Sequence, residues 1–333
     1  MQTRIAHTLS AISPGLGLCV AGTAVALGIN HLLPTVSPLL IAIVLGAVLA
    51  NVARLPESTR PGMRFSAKTL LRIGIALLGL QLMLSDILAL GWGLIIVVVT
   101  IVVLGIIGTM FAGKLLGLSW TQRLLIACGF SICGAAAVAA VDGVVDAEEE
   151  EVITAVALVV VFGTLMIPAV PLLSQAFGLS DTDAGLWAGG SIHEVAQVVA
   201  AGGAISGAAL SVAVVVKLAR VLMLAPIMVI LGIHQRSRAG SGTDVKRPPL
   251  VPLFVLVFLV CVGLRSSGML PGDLLTVTQT VQTALLTAAM FALGAGVRIA
   301  TIKKVGARPF ILGTLSTVWI ACIALTGVFL TGG

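Results

Sequence analysis

One apolar segment of this chain contains, at its centre, the stretch Gly189-Gly190-Ser191-Ile192-His193-Glu194, and the next apolar segment contains Lys217 and Arg220. Ionisable side chains therefore lie where lipid-facing or closely packed helix is expected. A Lys, Arg or Asp at the centre of a membrane-spanning helix costs about 2.5–3.5 kcal/mol on insertion scales, so such residues are rare and usually functional. The two segments predict a site for a transported ion or solute.

The composition indicates an integral membrane protein. Of the 333 residues, 59% are hydrophobic and 10% are charged, whereas a soluble domain carries about 25% charged residues. The net charge of +6 comes largely from basic residues between apolar runs, which indicates membrane orientation rather than nucleic-acid binding. We expect a single membrane domain over 1–333. The cysteines all lie in apolar segments and are expected to be small buried residues rather than metal ligands or redox pairs.

The apolar runs predict an all-α polytopic fold, because a helix needs about 20 apolar residues to cross the hydrocarbon core. About eleven spans are expected, at 14–33, 37–53, 67–90, 92–113, 121–141, 152–176, 184–203, 209–233, 250–266, 278–298 and 309–330.

Basic residues predict the orientation of these spans. They follow spans two, four, eight and ten: Arg54, Arg60, Arg64, Lys68, Lys114, Arg123, His234, Arg236, Arg238, Lys246, Arg247, Lys303, Lys304 and Arg308. The positive-inside rule then gives a cytoplasmic N-terminus and a periplasmic C-terminus. The acidic run 148–151 falls in an opposite, odd-numbered loop, where we expect a solvated helix start, with an ion-collecting vestibule as the alternative.

Small residues predict interrupted helices inside two spans. Gly189 and Gly190 disfavour helix, and Ser191 followed by Glu194 is the capping-box pattern of a helix start. A discontinuous helix restarting near Ser191, with free N–H groups able to hold an anion, is expected. A continuous helix with small packing residues is the alternative. Breaks are predicted within 187–192 and 129–135.

The two interrupted spans share a similar string. Gly129-Phe130-Ser131-Ile132-Cys133-Gly134 aligns with residues 189–194. Both spans run in the same direction in this topology, whereas inverted repeats need opposite directions. The expected repeats are therefore 37–176 and 184–330, which pair span five with span ten, where Gly294-Ala295-Gly296 interrupts the apolar run.

The candidate site centres on His193, Glu194 and Gln197. His193 and Gln197 share a helical face, and the second His of a zinc-protease helix is absent. A buried structural cluster and a substrate or proton site both remain open. Lys217 and Arg220 could pair with Glu194, bind an anion or extend to an interface. Two cations against one carboxylate favour an anionic substrate.

Three other polar residues in the apolar runs are weaker candidates, and a fourth, Arg72, has a different expected role. Asn51, Gln81 and Asp142 are expected to serve packing or capping, and Arg72 is expected to anchor its span at the membrane interface.

Three strings of this chain resemble the YeiH-like family of bacterial inner-membrane proteins, which are described as sulfate exporters. The strings are 131–138 (Ser-Ile-Cys-Gly-Ala-Ala-Ala-Val), 193–202 (His-Glu-Val-Ala-Gln-Val-Val-Ala-Ala-Gly), and Lys217 with Arg220-Val221 and Leu224-Ala225-Pro226. The resemblance implies membership of the cation/proton antiporter and anion transporter superfamily, with inverted repeats and crossing broken helices. Antiporters of that superfamily carry a mid-membrane aspartate pair, whereas this chain has Ser131 and Cys133, which weakens a cation-antiport interpretation.

These observations predict an inner-membrane secondary transporter that exports a small anion such as sulfate or sulfite by alternating access. The substrate-binding residues are expected to be Ser131, Cys133, Gly134, Ser191, His193, Glu194, Gln197, Lys217 and Arg220. His193 and Glu194 are expected to couple protons, so the coupling ion is H⁺ or Na⁺ and no other cofactor is expected. A cation antiporter that uses Glu194 is the first alternative. The second, an intramembrane enzyme or sensor, is disfavoured because no nucleophile, base and orienter series appears. The expected partners are the anion and the bilayer, without nucleic acid, and a homo-oligomer remains open.

Overall fold

The computed structural model describes residues 2–33, 38–53, 55–145, 147–238, 253–296 and 306–331, and the regular structure in these ranges is helical. The helices are α1 (Gln2–Leu32), α2 (Pro38–Val52), α3 (Arg60–Phe65), α4 (Leu71–Leu78), α5 (Leu84–Ala89), α6 (Gly91–Leu115), α7 (Trp120–Cys128), α8 (Ala135–Val145), α9 (Glu149–Ala176), α10 (Asp181–Ser191), α11 (Val195–Ile205), α12 (Gly207–Leu222), α13 (Leu224–Arg238), α14 (Leu253–Ser266), α15 (Gly272–Gly296) and α16 (Ala307–Thr331). Short π-helical turns, Ser66–Leu70 and Gly129–Cys133, and 3₁₀ turns, Glu57–Thr59 and Gly79–Gln81, connect some of them.

Six helical segments in the described ranges are long and apolar enough to cross a membrane, one of them formed by α12 together with most of α13: Ala11–Leu32, Gly91–Leu115, Glu149–Ala176, Gly207–Gln235, Gly272–Gly296 and Ala307–Thr331. Shorter apolar helices accompany them. The all-α polytopic membrane fold predicted from the apolar runs is therefore confirmed.

The segment 120–145 turns back in the middle of the protein. Ser119 and Thr121, at the start of α7, donate hydrogen bonds to the carboxylate of Glu151 at the start of α9. Further along, Gly129 lies against Val159, so α7 and α9 run side by side in the same direction. Because α9 begins only a short turn after α8 ends, α8 must return to the face where α7 began. Helices α7 and α8 thus form a re-entrant hairpin.

The segment 181–205 forms a second hairpin. Gly185 of α10 packs on Ala209 of α12, and Gly189 packs on Ala213, so α10 runs parallel to α12. Helix α11 returns along the same helix, where Gly202 also lies against Ala213. Since α9 connects the two faces of the protein and α10 follows its end, this hairpin enters from the face opposite to the first.

The hairpins differ from the crossing helices expected for spans five and seven. Each segment is broken at its middle and reverses there, which returns the chain to the face it came from. The predicted position of the acidic run 148–151 was also wrong. The Glu151 carboxylate accepts a hydrogen bond from Ser119, so it lies on the same face as the loop that follows Lys114. The similar strings 129–134 and 189–194 now fall on hairpins that enter from opposite faces, as inverted elements do. The repeat boundaries 37–176 and 184–330 stay a prediction.

Small residues allow the helices around the hairpins to pack closely. In one group of helices, Gly294 of α15 lies directly against the backbone of Ile43 in α2, and Gly74 of α4 lies against Leu286. In the other group, α6 and α16 pack on the two hairpins, and α12 passes both hairpin ends. Close backbone approach of this kind is typical of membrane helices. Moving an apolar side chain from lipid into a helix interface gives little stability, so close van der Waals packing has to hold the helices together. The packing brings the two hairpin ends to one place.

Candidate functional site

The end of the first hairpin is built from backbone rather than from side chains. The π-helical turn Gly129–Cys133 closes with a 2.8 Å hydrogen bond from the Gly134 N–H to the Gly129 carbonyl. Gly134 has φ of 81°, a left-handed conformation that residues with a Cβ rarely adopt. A Cβ at Gly134 would also collide with the side chain of Glu194. Glycine is therefore required at this turn for two reasons.

The end of the second hairpin is an extended turn. Helix α10 ends at Ser191, and α11 begins after Glu194, which is its N-cap. The capping box consists of Glu194 and Gln197, not of Ser191 and Glu194 as predicted. The hydroxyl of Ser191 instead donates to the Trp187 carbonyl at 2.6 Å. The predicted break exists, but it lies at 192–194 because the glycines remain helical.

Lys217 holds the two ends together through backbone carbonyls. Its Nζ donates to the carbonyls of Ile132 at 2.9 Å, Ile192 at 2.8 Å and His193 at 2.6 Å. An ammonium group has three donors, so every donor is used. The side chain is fully buried.

Arg220, one turn along α12, acts in the same way. Its guanidinium donates to the carbonyls of Phe130 (2.8 Å), Ser131 (3.0 Å), Gly189 (3.0 Å), Gly190 (2.7 Å) and Ile192 (3.1 Å). These carbonyls belong to the last turns of α10 and of the first hairpin arm, where helical carbonyls lack partners and the helix dipole is negative. Both cations thus complete the carbonyl ends of the broken helices.

Glu194 binds the other ends of the broken helices, the N-termini of α8 and α11, where backbone amide groups are free. Its Oε1 accepts a 3.1 Å hydrogen bond from the Ala135 N–H at the start of α8, and its carboxylate caps the N-terminus of α11. Helix N-termini favour anions because their N–H groups are free and the dipole is positive there. Glu194 is partly exposed, unlike the neighbouring cations. The carboxylate therefore lies where an external anion could also be held.

Two buried polar atoms near the hairpin ends have no hydrogen-bond partner in the described part of the chain, the hydroxyl of Ser131 and Nδ1 of His193. The other ring nitrogen of His193 lies 3.1 Å from the Thr317 hydroxyl, and the ring packs on Phe130 with centroids 4.3 Å apart. Buried polar groups without partners are rare in folded proteins, so these two atoms stand out among the polar groups at the hairpin ends.

The structure brings all the candidate residues to the hairpin ends. Cys133 and Gln197 are buried there as well, and the Gln197 amide nitrogen donates to the Val160 carbonyl at 3.5 Å. Lys217 and Arg220 bind carbonyls rather than Glu194; the ion pairs found among the described residues are Arg60–Glu57 and Lys68–Asp142. Thr317 was missed, since a single Thr in an apolar helix gives no signal.

The weaker candidates have ordinary structural partners. The Asn51 amide bonds to the Ala47 carbonyl, Gln81 bonds to Gln282, and Asp142 pairs with Lys68. These contacts agree with the expected packing and capping roles. Arg72 differs, because the described residues give it no hydrogen bond or ion pair.

Comparison with known proteins places the chain among bacterial membrane proteins. The family model described as Conserved hypothetical protein 698 matches residues 14–313. A UPF0324 membrane protein of Corynebacterium glutamicum is 57% identical over 97% of this chain and 94% of its own length. The UPF0324 inner membrane protein YeiH of Escherichia coli K12 is 39% identical over 94% and 93%. A UPF0324 membrane protein of Brucella suis is 35% identical over 96% and 97%. The resemblance found in the sequence strings is confirmed.

Proposed function

We propose that this chain, which belongs to the UPF0324 family of membrane proteins, is a secondary transporter that moves a small anion such as sulfate or sulfite by alternating access. Broken helices that meet inside the membrane are typical of secondary transporters, whose half-helix N-termini point at anionic groups of the substrate. The two hairpins, entering from opposite faces and meeting end to end, support this class.

The observation that carries the proposal is the position of the Glu194 carboxylate. It lies between the amide ends of α8 and α11, accepting from Ala135 N–H and capping α11. A carboxylate held in this way is a built-in anion. The cluster also has a cationic surplus, because Lys217 and Arg220 face one carboxylate when His193 is neutral. Both features favour an anionic substrate.

In the proposed cycle, the substrate anion takes the place of the Glu194 carboxylate. Protonation of Glu194 weakens its hold on the amide ends and frees them for the substrate. Lys217 and Arg220 keep the hairpin ends in register and supply a fixed positive field. The hydroxyls of Ser131 and Ser191 and the amides that follow Cys133 and Gly134, beginning with Ala135, would line the site, and His193 would pass or hold a proton.

A cation antiporter is supported less well by the same geometry. Cations at broken helices are coordinated by unwound carbonyls and helix C-terminal ends. Here those carbonyls, including Ile132 and Ile192, are already bonded to Lys217 and Arg220. The proposal therefore includes no metal cofactor, and it includes no enzymatic reaction.

Flux into proteoliposomes tests the proposal. The purified chain should move radiolabelled sulfate or sulfite faster when the pH is lowered, because protonated Glu194 leaves the site. Glu194→Gln should lose this pH dependence, whereas Glu57→Gln, which removes an exposed surface carboxylate, should retain it. Sodium or proton flux without any anion flux would contradict the proposal and favour the cation antiporter.

The proposed orientation has a cytoplasmic N-terminus and a periplasmic C-terminus in the inner membrane, with export as the direction. A cysteine introduced at Arg60 should be labelled from the cytoplasmic side, and one introduced at Met269, which is 81% exposed, from the periplasmic side. Labelling of both from one side would contradict the orientation.

A further inference from the structure

A cavity of about 480 Å³ separates α4, the returning arm α8 of the first hairpin, and α14. Its walls include the apolar side chains of Ile73, Val144, Phe254 and Val257, and the charged side chain among the described lining residues is Arg72. The volume lies within the range of about 300–1,000 Å³ that is usual for ligand sites. The cavity lies away from the hairpin ends and is distinct from the proposed transport site.

Arg72 is an uncompensated cation at this cavity. The described part of the chain gives its guanidinium no hydrogen bond or ion pair. Its nearest aromatic ring is Phe254, with the centroid 5.9 Å from Cζ, which is close to the limit for a cation–π contact. One turn away, Lys68 is already paired with Asp142 at 3.3 Å. The five guanidinium N–H donors of Arg72 therefore remain for a ligand.

The cavity reaches the outer, lipid-facing surface of the helices. Ile73 and Val257 both line it and are 44% and 41% exposed. Arg72 lies at the start of its apolar segment, one turn after Lys68, where basic side chains meet the head groups of anionic lipids. A ligand for this site should therefore carry a phosphate or similar anion for Arg72 and an apolar chain for the walls.

We propose that the cavity binds an anionic phospholipid, with its phosphate on the Arg72 guanidinium and an acyl chain along Ile73, Phe254 and Val257. Arginine binds phosphate oxygens through two parallel hydrogen bonds, and basic pockets between membrane helices bind anionic lipid head groups. A free inorganic anion would satisfy Arg72 but would leave the apolar walls unfilled. The lipid site is independent of the proposed transport function.

Native mass spectrometry of the full-length protein in neutral detergent tests the site. Phosphatidylglycerol should bind in preference to phosphatidylcholine and should raise the melting temperature by about 4 °C at a hundredfold excess over Kd. Arg72→Gln should weaken phosphatidylglycerol binding about tenfold. Arg60→Gln, which removes an exposed cation, should leave binding unchanged.

A second pair of variants separates the two parts of the ligand. Val257→Trp should obstruct the chain while Arg72 remains, and it should reduce lipid binding as strongly as Arg72→Gln does. Arg72→Lys keeps the charge and should retain some preference for phosphatidylglycerol. This variant also tests the site if Arg72→Gln folds poorly. Equal binding of both lipids by the wild type would overturn the proposal. So would stabilisation by inorganic phosphate alone that is lost in Arg72→Gln, because the site would then hold a free anion.

Discussion

The two hairpin ends meet at one place but contribute different chemistry. The first, residues 129–134, offers backbone groups and one buried hydroxyl, and its reversal depends on the left-handed Gly134. The second, residues 192–194, reverses through extended residues and carries His193 and Glu194. The first end is thus a backbone frame, whereas the second supplies the groups that can change charge.

The same partners nevertheless complete both ends. Lys217 and Arg220 bind carbonyls of both hairpins, and Glu194 binds amide groups at the starts of α8 and α11. Opposite ends of the broken helices thus receive side chains of opposite charge, as the helix dipole requires. The comparison teaches that the cations join the two ends, while the carboxylate is the partner that an external anion could replace.

The largest expected effect comes from removing Arg220, because both ends depend on it. Arg220→Ala leaves four buried carbonyls, those of Phe130, Ser131, Gly189 and Gly190, without this donor, while Ile192 keeps its bond from Lys217. At about 1–3 kcal/mol for each unsatisfied buried group, the loss of stability should be several kcal/mol, and folded protein should be scarce in detergent by size-exclusion chromatography. Arg60→Ala, which removes a surface ion pair, should cost at most about 1 kcal/mol. A normally folded Arg220→Ala protein would show that the cation does not join the ends.

Substitution at the first end should have the next largest effect. Gly134→Ala places a Cβ at φ 81° and ψ −140°, a conformation largely confined to glycine, at a cost of about 1–3 kcal/mol, and forces Glu194 to move. The melting temperature should fall. In a Glu194→Ala background, which removes the collision and loses its own capping bonds, Gly134→Ala should cost only the backbone part, measured against Glu194→Ala alone. Gly203→Ala, in a helix with open space around the added carbon, should instead be neutral or stabilising by about 0.5–1 kcal/mol. Equal effects of the two glycine substitutions would contradict the backbone-frame interpretation.

A smaller effect on stability, but a clear one on function, is expected for Glu194→Gln. The amide oxygen of Gln can still accept from Ala135 N–H, so the fold should persist. The charge is lost, so sulfite or sulfate should bind without competition. Isothermal titration should show anion binding in the variant that no longer strengthens as pH falls, whereas wild-type binding strengthens. If anion binding by the variant kept the wild-type pH dependence, Glu194 would not be the residue that couples protons to anion binding.

The sequence predicted much of this arrangement and failed where geometry depends on folding. The apolar runs, the breaks near 129–135 and 187–192, and the cluster of ionisable groups were all predictable from residue type and spacing. The hairpins were not, because a span of about 20 apolar residues has the same composition whether it crosses or turns back. Gly134 signals only flexibility in the sequence, and its positive-φ turn packs against Glu194, which lies sixty positions along the chain.

The role of Lys217 and Arg220 could not be predicted for a related reason. A buried cation in an apolar segment indicates a partner, and Glu194 was an obvious one by charge. Backbone carbonyls carry no sequence signal, yet a broken helix exposes several of them at one point. The cations therefore bind backbone carbonyls that the helix breaks leave without partners, and residue types alone do not predict these contacts.

The smallest expected effect on the fold comes from Ser131→Ala, and this variant sharpens the comparison most directly. The Ser131 hydroxyl is buried and lacks a partner in the described ranges. Its removal should be neutral or should stabilise the protein by about 1 kcal/mol, because an unsatisfied polar group disappears. In the proposed site this hydroxyl donates to the bound anion, so the same variant should weaken sulfite or sulfate binding about tenfold in equilibrium titration. Cys128→Ala, a nearby buried change at the end of α7, serves as the control and should leave anion binding unaltered. Unchanged anion binding in Ser131→Ala would confine the substrate to the second hairpin end and leave the first end with a purely structural role.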